Sequence, residues 1–209
     1  MIIIVDYKVG NYFSLINALE RCKVKFKVSN DKIDIEKSDT LILPGVGSFR
    51  VGMENLNRLN LIDSIKNHFI KKRKILGICL GMQLLLDESE EFGFSKGLGM
   101  IKGTIKKLPQ ISKNNDHNLL PNITWSKIKK NQSSKNDFFL NNTSDQSFYY
   151  FVHSYYAELE NKKNALSFSY FYDFKFPSII NEENVFGTQF HLEKSGNEGI
   201  QILKNFLNK

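Results

Sequence analysis

Residues 74–81 read Lys-Ile-Leu-Gly-Ile-Cys-Leu-Gly, and this octapeptide decides the fold. Its largely apolar first part, residues 74–78, is typical of a strand that is buried on both faces. Apolar residues at helical spacing follow directly over residues 80–86, so a strand passes into a helix at Cys79. A strand that runs straight into a helix is the repeating unit of a parallel α/β sheet.

The same alternation of strands and helices extends through the first half of the chain. Short, largely apolar runs predict strands over residues 2–5, 40–43 and 74–78, and alternation of apolar residues with lysine predicts a strand over residues 24–28. Helical spacing of apolar residues predicts helices over residues 12–22, 53–59, 61–70 and 80–86. The pattern therefore predicts an α/β fold with an open, mostly parallel central sheet flanked by helices on both faces, in three flavodoxin-like layers.

The second half is richer in aromatic and β-branched residues, which favour strands. Strands are predicted over residues 98–108, 148–153, 166–174, 178–180 and 185–190, and a closing helix over residues 198–207. The polar segment 131–147 is expected to be a surface loop or a hairpin insertion. We expect an antiparallel, strand-rich C-terminal half within a single domain spanning residues 1–209.

Composition excludes several classes of protein. Of the 209 residues, 41% are hydrophobic and 24% charged, which is ordinary for a globular protein and unlike a disordered or fibrous one. No run of about eighteen apolar residues predicts a membrane span, and the first six residues do not resemble a signal peptide. The sequence therefore predicts a cytoplasmic protein that does not contact a membrane.

Charge and cysteine content exclude two further kinds of site. The 29 basic and 22 acidic residues give a net charge of +7, but the lysines are scattered and form no arginine-rich run, so we expect no nucleic-acid partner. Two cysteines, Cys22 and Cys79, are too few for a disulfide framework or a cysteine zinc site. We expect a reducing compartment and no metal.

The pentapeptide Gly77-Ile78-Cys79-Leu80-Gly81 is the strongest local signal for chemistry. Glycines on both sides allow the sharp turn of a nucleophile elbow, which lifts the central side chain out of the sheet. The start of the following helix would favour the reactive thiolate. Taken alone, the same residues also fit a small buried cysteine before a helix, so both interpretations stay open at this point. Cys22 has none of these features and is expected to be structural.

A thiolate nucleophile needs a base, and the base needs a partner that orients it. His191 and Glu193 stand two residues apart at the end of a predicted strand, where alternate side chains share a face. The carboxylate can therefore hold the imidazole. His153 is a second candidate, although it fits a packed strand histidine equally well. His68, on a polar helix face, and His117, in a polar loop, are expected to have no role.

The turn Pro44-Gly45-Val46-Gly47 follows a predicted strand near the same edge of the sheet. Ligands of open α/β sheets bind beyond the carboxyl ends of the strands. Backbone N–H groups of a glycine-rich turn can bind phosphate there or stabilise an oxyanion. Without other evidence this segment is simply a turn.

Taken together, these segments resemble those of a known family. The matching stretches are residues 6–7 with 10–11, 43–49, 76–85, 89–91, 97–99 with 103, 151–155 and 189–196. In this order they resemble the class I (triad) glutamine amidotransferases. Phe-Val-His-Ser-Tyr at 151–155 and Glu-Lys-Ser-Gly at 193–196 resemble, within that family, the glutaminase subunits of imidazole glycerol phosphate synthase.

The resemblance implies a role for each matching residue and no cofactor. Cys79 would be the nucleophile, His191 the general base and acid, and Glu193 its orienting partner. The oxyanion hole would come from the backbone N–H of Leu80 and of Val46 or Gly47. Binding of the substrate L-glutamine would fall to Gln83, Glu91, His153, Ser154 and Tyr155.

The resemblance also implies a partner. Glutaminases of this kind form a heterodimer with a (β/α)₈-barrel cyclase subunit and channel ammonia to it for histidine biosynthesis. Trp125 and Lys194 would lie at the interface, and a peptide flip in residues 44–47 would complete the oxyanion hole when the liganded partner is bound.

Some residues depart from the family pattern. Leu192 stands where the family usually has proline, and the partner-facing segment 121–126 reads Pro-Asn-Ile-Thr-Trp-Ser. A second interpretation therefore stays open, in which the chain is a glutaminase that supplies ammonia to a surface-sugar amidotransferase. Alternatives from other classes are a non-catalytic binding or regulatory protein on the same fold and a related cysteine peptidase or chaperone.

Overall fold

A computed structural model gives the fold and describes residues 1–10, 12–111, 117–132, 137–144 and 146–208. Position 11, the asparagine of one matching stretch, lies outside the described residues.

A sheet of eight strands, counted over the described residues, forms the central layer. The strands of the chain are β1 (Ile2–Val5), β2 (Phe26–Ser29), β3 (Thr40–Leu43), β4 (Lys74–Ile78), β5 (Leu86–Ser89), β6 (Ser95–Lys96), β7 (Ile101–Lys107), β8 (Asn122–Lys127), β9 (Lys129–Lys130), β10 (Phe148–His153), β11 (Tyr155–Leu159), β12 (Ala165–Phe171), β13 (Phe174–Glu182) and β14 (Val185–Thr188). The order in the large sheet is β2-β1-β3-β4-β14-β13-β12-β9. Its first five strands are parallel and the remaining pairings antiparallel, which confirms the predicted mostly parallel sheet with an antiparallel C-terminal half.

The helices are α1 (Tyr12–Arg21), α2 (Lys32–Lys37), α3 (Phe49–Arg58), α4 (Ile62–Ile70), α5 (Leu80–Leu84) and α6 (Gly196–Leu207). Single 3₁₀ turns cover Asp137–Leu140, Lys162–Asn164 and Leu192–Lys194. Within the described ranges no helix is both long and apolar enough to span a bilayer. Helix α5 is two residues shorter than predicted, because the chain enters β5 at Leu86.

Apolar residues are buried on both faces of the central sheet, which explains the continuous apolar runs of its parallel strands. Along β1, Ile2 and Ile4 face the layer that contains α1 and α6. The alternate residues Ile3 and Val5 face the layer that contains α2, α3 and α4. Two apolar cores therefore fix the sheet from opposite sides, and the carboxyl ends of its strands converge at one edge.

Two smaller sheets cover that edge. Strands β8 and β10 pair antiparallel, and β11, β7, β5 and β6 form a second group. Strand β11 follows β10 after a single residue, so both sheets are anchored at the same place. These strands bring residues 152–155 over the end of β4.

The sequence predicts a surface loop over segment 131–147, and for residues 138–140 that prediction is wrong. Phe139 and Leu140 are buried, and the Phe139 ring stacks on Phe186 of β14 with ring centres 5.0 Å apart. Phe138 contacts the same ring edge-on. Three consecutive apolar residues explain the docking. Positions 133–136 and 145 lie outside the described residues.

Candidate active site

Cys79 sits at a strained turn between β4 and α5. Its backbone has φ 51° and ψ −105°, a conformation that L-residues rarely adopt. A Cβ at Gly81 would lie 1.8 Å from the carbonyl oxygen of Leu43, and one at Gly77 would lie 2.5 Å from the nitrogen of Met82. Both flanking positions therefore require glycine, and the turn has the geometry of a nucleophile elbow.

The register between β4 and β14 sets the position of the segment that contains His191 and Glu193. Thr188, the last residue of β14, pairs with Ile78, the last residue of β4. The backbone N–H of Cys79 donates to the Thr188 oxygen over 2.7 Å. Residues 189–193 therefore leave the sheet beside the elbow.

His191 and Glu193 contact each other directly. Nδ1 of His191 lies 2.7 Å from Oε1 of Glu193, and both side chains are almost fully buried. The contact depends on a 3₁₀ turn over Leu192–Lys194, because β14 ends at Thr188. The predicted contact between His191 and Glu193 is therefore present, but the predicted reason is wrong, because the two residues do not lie on a strand. Leucine at 192 is buried and compatible with this turn.

The hydrogen bond to Glu193 determines which nitrogen of His191 faces the sulfur. A carboxylate accepts only, so Nδ1 carries a proton and Nε2 is the ring nitrogen left for chemistry. Among the described residues, the buried Nε2 has no partner at normal hydrogen-bond distance, and Cys79 is the group whose charge acts on it most strongly.

Burial alone would lower the pKa of His191, but the charge of Cys79 and hydrogen bonds to Cys79 and Glu193 raise this pKa to about 10. The positively charged form of this imidazole is therefore stabilised by the two side chains that flank it.

Two further groups surround the sulfur of Cys79. The carbonyl oxygen of Val152 and the side-chain nitrogen Nε2 of Gln189 each lie 3.7 Å from Sγ. The cysteine side chain is only 6% exposed, so these contacts form in a largely desolvated place. The first accepts the proton of a thiol, and the second donates to sulfur in either protonation state.

A cavity of about 480 Å³ opens above the sulfur. It is lined by Val46, Gly47, Cys79, Leu80, Gln83, Glu91, Phe92, Lys107, Leu120, Pro121, Val152, His153, Ser154 and Tyr155. The structure therefore brings together at one cavity all the residues expected to bind substrate or to form the oxyanion hole. His191 and Glu193 lie behind the sulfur, outside this lining.

Glu91 provides an acidic group inside the cavity. Its Oε2 accepts a hydrogen bond from the backbone N–H of Phe49, the first residue of α3, over 2.6 Å. Burial raises the pKa of Glu91, and the hydrogen bond from Phe49 partly opposes this rise. A buried carboxylate of this kind gains by pairing with a cation.

Gln83 and His153 are both held by the backbone at Tyr155. Nε2 of Gln83 donates to the Tyr155 oxygen over 3.1 Å, and Nδ1 of His153 lies 2.8 Å from the same oxygen. Nε2 of His153 accepts from the Asn122 amide over 3.0 Å. Burial lowers the pKa of His153 to about 4, so its imidazole is neutral and fully engaged. His153 thus shapes the cavity, and its ring nitrogens are not available for proton transfer.

The turn at residues 44–47 lies at the mouth of the cavity. The buried Tyr7 hydroxyl donates to the carbonyl oxygen of Pro44 and holds the start of the turn. At its far end Val46 is 44% exposed, and Gly47 has φ 119° with no atom of the described, non-neighbouring residues within 4 Å of the place where a Cβ would lie. Rotation of the peptide between these two residues is therefore sterically permitted.

An exposed group of side chains lies next to His191. The Tyr150 ring centre is 6.4 Å from that of His191 and 5.7 Å from that of Trp125, which is 52% exposed. Nζ of the exposed Lys194 lies 5.8 Å from the Tyr150 ring centre. We call Trp125, Tyr150 and Lys194 the aromatic patch.

The remaining histidines are remote from this cavity. His68 is buried, contrary to the predicted polar helix face, and its Nε2 lies 3.3 Å from the Lys74 oxygen. Burial lowers the pKa of His68 to about 4. His117 is exposed. Among the described residues, no cluster of histidine, cysteine or acidic side chains has the arrangement of a metal site.

Sequence reasoning misses three contributors to the site: the Gln189 side chain, the Val152 carbonyl and the Phe49 N–H. The two backbone groups carry no sequence signal. Gln189 does carry one, since it precedes His191 by two residues in the same segment.

Comparisons with known proteins agree with this geometry. A family model described as glutamine amidotransferase class-I matches residues 3–209. The chain is 41% identical over 207 residues to a Geobacillus kaustophilus protein named imidazole glycerol phosphate synthase subunit HisH, covering 99% of this chain and 96% of that one. The HisH subunit of Bacillus subtilis is 40% identical over 206 residues, with 99% and 95% covered.

Solved structures share the fold at lower identity. A crystal structure of a glutamine amidotransferase superposes with a TM-score of 0.72 at 16% identity, covering 99% of this chain and 97% of that chain. A structure of PurLQS from Thermotoga maritima gives a TM-score of 0.68 at 19% identity, with 99% and 97% covered.

Proposed function

The chain belongs to the class-I glutamine amidotransferase family, and on this premise we propose that it is the glutaminase subunit of imidazole glycerol phosphate synthase. It hydrolyses L-glutamine to glutamate and passes the ammonia to a cyclase subunit for histidine biosynthesis. The observation that carries the proposal is Cys79 at a strained elbow, beside a buried His191–Glu193 pair and below a cavity with one carboxylate. We further propose that residues 1–209 act as one amidotransferase domain.

The first half of the reaction forms a thioester. The Cys79 thiolate attacks the side-chain amide carbon of glutamine, and the C=O electron pair moves onto oxygen. The backbone N–H of Leu80, together with that of Val46 or Gly47, stabilises this oxyanion; one such donor is typically worth about 2.7–4 kcal/mol of barrier. Nε2 of His191 then gives its proton to the amide nitrogen, the C–N bond breaks, and ammonia leaves.

The second half restores the enzyme. A water molecule gives a proton to Nε2 of His191 and attacks the thioester carbon. The carbon–sulfur bond breaks, glutamate leaves, and thiolate and imidazolium remain. Glu193 keeps the proton on Nδ1 throughout, so that Nε2 is the nitrogen that exchanges protons. The net reaction consumes one glutamine and one water and yields glutamate and ammonia.

Glutamine recognition follows from the charges and hydrogen-bonding groups of the cavity. Glu91 pairs with the substrate ammonium group, which relieves the cost of burying its carboxylate. Gln83 uses its side-chain nitrogen on Tyr155, so its side-chain oxygen is the atom that accepts from the substrate. Ser154 and Tyr155 provide the adjoining wall.

The partner is a (β/α)₈-barrel cyclase that covers the aromatic patch. Ammonia in bulk water at neutral pH is mostly ammonium, which is not a nucleophile, so a synthetic use requires direct transfer. Tyr150 of the aromatic patch contacts the His191 ring, and Lys194 supplies a cation for an acidic residue of the barrel. Binding of the cyclase would also rotate one peptide of the turn at residues 44–47 and so complete the oxyanion hole.

The test uses the chain together with the barrel cyclase of the same organism. Glutamine should support formation of imidazole glycerol phosphate, and the Cys79→Ala variant should lose this reaction while added ammonium salts still support it. Cys22→Ala is the matched control and should keep glutamine-dependent synthesis.

Two results would contradict the proposal. Glutamine turnover by Cys79→Ala would show that Cys79 is not the nucleophile. Failure of the wild-type chain to bind or supply the cyclase, with co-purification of a sugar-modifying enzyme instead, would assign the same chemistry to a different partner.

A further inference from the structure

Gln189 occupies a position that the register of the sheet makes equivalent to that of Cys79. Thr188 pairs with Ile78 across the parallel strands β14 and β4, so residues 189 and 79 are the first to leave each strand. The Gln189 side chain is fully buried. Its backbone N–H donates to the Ser178 oxygen over 2.9 Å, which fixes the main chain at this point.

A chain of hydrogen bonds defines the orientation of the Gln189 amide. Nε2 of Gln83 donates to Oε1 of Gln189 over 3.3 Å. Since Oε1 is the acceptor, the opposite end of the amide must present its N–H₂ group, and Nε2 lies 3.7 Å from the sulfur of Cys79. Gln83 is itself held by the Tyr155 carbonyl. The hydrogen bonds that link Gln189, Gln83 and Tyr155 therefore fix the orientation of the Gln189 N–H₂ group at the sulfur.

We propose that Gln189 is a positioning residue that stabilises the Cys79 thiolate through its side-chain N–H and couples that sulfur to the glutamine-binding side chain Gln83. This inference rests on the proposed function. The sulfur then has two donors from one segment, Gln189 and His191. The Val152 carbonyl on its other side favours the thiol, so the Gln189 donor shifts the balance towards the charged, nucleophilic form.

The coupling gives substrate binding an effect on the nucleophile. When the substrate binds the oxygen of Gln83, it adds a further contact to an amide that Tyr155 and Gln189 already hold, and so it restricts the Gln189 amide further. The thiolate is thus held at the attack position when the cavity is occupied.

The experiment measures reactivity of the sulfur without requiring turnover. Cys22→Ser serves as the parent, so that Cys79 is the one thiol of the full-length chain. Intact-mass spectrometry follows alkylation by iodoacetamide from pH 5 to 10. The variants Gln189→Glu and Gln189→Met match the original length and remove the donor, and Gln189→Glu keeps the acceptor for Gln83. Gln201→Met, on α6 and remote from the cavity, is the matched control.

The expected result is an upward shift of the alkylation midpoint by about one pH unit or more in both Gln189 variants, with no shift in Gln201→Met. One hydrogen bond to a charged group corresponds to roughly tenfold in an equilibrium. In the complex with the cyclase, kcat for glutamine should fall about tenfold or more, while the ammonium-dependent reaction is unchanged.

An alkylation midpoint that stays at the parental value in a folded variant would overturn the proposal. Failure of both variants to fold would overturn it as well, because Gln189 would then be a structural residue. If the chain proved not to hydrolyse glutamine, the parental kcat would be zero while the alkylation shift still reported on Gln189, so the two failures are distinguishable.

Discussion

The backbone N–H of Phe49 and the Oε2 atom of Glu91 are joined by a hydrogen bond of 2.6 Å, which places the first residue of α3 directly on the carboxylate of the cavity. The donor fixes one oxygen of Glu91 and leaves the other for a ligand. A carboxylate held in this way recognises a cation at a defined position.

Glu91→Gln should raise KM for glutamine by roughly 10–100-fold with a smaller change in kcat, because it removes a charge pair used in the bound substrate as well as in the transition state. Steady-state release of glutamate, measured in the complex with the cyclase, checks this. The neighbouring exposed Glu90→Gln is the control and should leave KM unchanged. An unaltered KM in Glu91→Gln would show that the ammonium group binds elsewhere.

Glu193→Gln should lower kcat for glutamine by roughly 10²–10⁴-fold, since the amide can donate to Nδ1 and favour the wrong tautomer of His191. The ammonium-dependent reaction of the cyclase should be unaffected, because it does not use this triad. Glu183→Gln, an exposed carboxylate that pairs with Lys72, provides the control. Near-normal glutamine hydrolysis by Glu193→Gln would show that Glu193 does not orient His191 for the reaction.

Gly81→Ala should destabilise the protein by more than about 3 kcal/mol, because the added Cβ would overlap the Leu43 carbonyl at 1.8 Å, and neither backbone can move freely. Among the residues that the structure describes, no atom lies within 4 Å of the Cβ that Gly196→Ala would add, and φ is 63°, so this variant should cost only about 1–2 kcal/mol. Urea unfolding followed by circular dichroism compares the two variants. Equal losses of unfolding free energy in the two variants would contradict the close approach of Gly81 to the Leu43 carbonyl.

Stability should decrease as pH falls from about 6.5 to about 4. Burial lowers the pKa of His68 and of His153 to about 4 in the folded chain, whereas an unfolded histidine titrates near 6.5. The unfolded chain therefore binds more protons in this window. The stabilisation is present above pH 6.5 and is lost towards pH 4, by up to roughly 3 kcal/mol for each imidazole.

His68→Gln tests this pH dependence away from the catalytic cavity. It should flatten the change of unfolding free energy between pH 6.5 and 4, while exposed His117→Gln should reproduce the wild-type slope. Urea titrations at several pH values measure the slopes. A wild-type slope in His68→Gln would mean that the buried imidazole gains its proton without loss of the fold.

The sequence is most informative where local pattern and tertiary burial coincide. Strands β1, β3 and β4 are apolar on both faces, and β3 and β10 have the predicted bounds. The pattern of apolar residues misses helix α2, although Asp31 caps its first turn by accepting from Ile33. Strand β5 reads Leu-Asp-Glu-Ser and is largely polar, so its pairing with β7 and β6, rather than its own pattern, makes it a strand.

The candidate site is predictable as a set of residues but not as a set of contacts. Family motifs point to the residues that line the cavity, whereas the approach of His191 to Glu193 depends on a 3₁₀ turn that strand alternation does not predict. The contact of Gln189 with Cys79 joins residues 110 positions apart. Such a contact follows from strand register, which no local pattern encodes.

The pairing of β4 with β14 also orders events during folding. These strands are separated by most of the C-terminal half, and closing so long a loop carries an entropic cost that delays the contact. Until that ladder forms, the thiol and the imidazole belong to separate parts of the chain. We therefore expect a nascent or partly folded polypeptide to hydrolyse no glutamine until β14 has paired with β4.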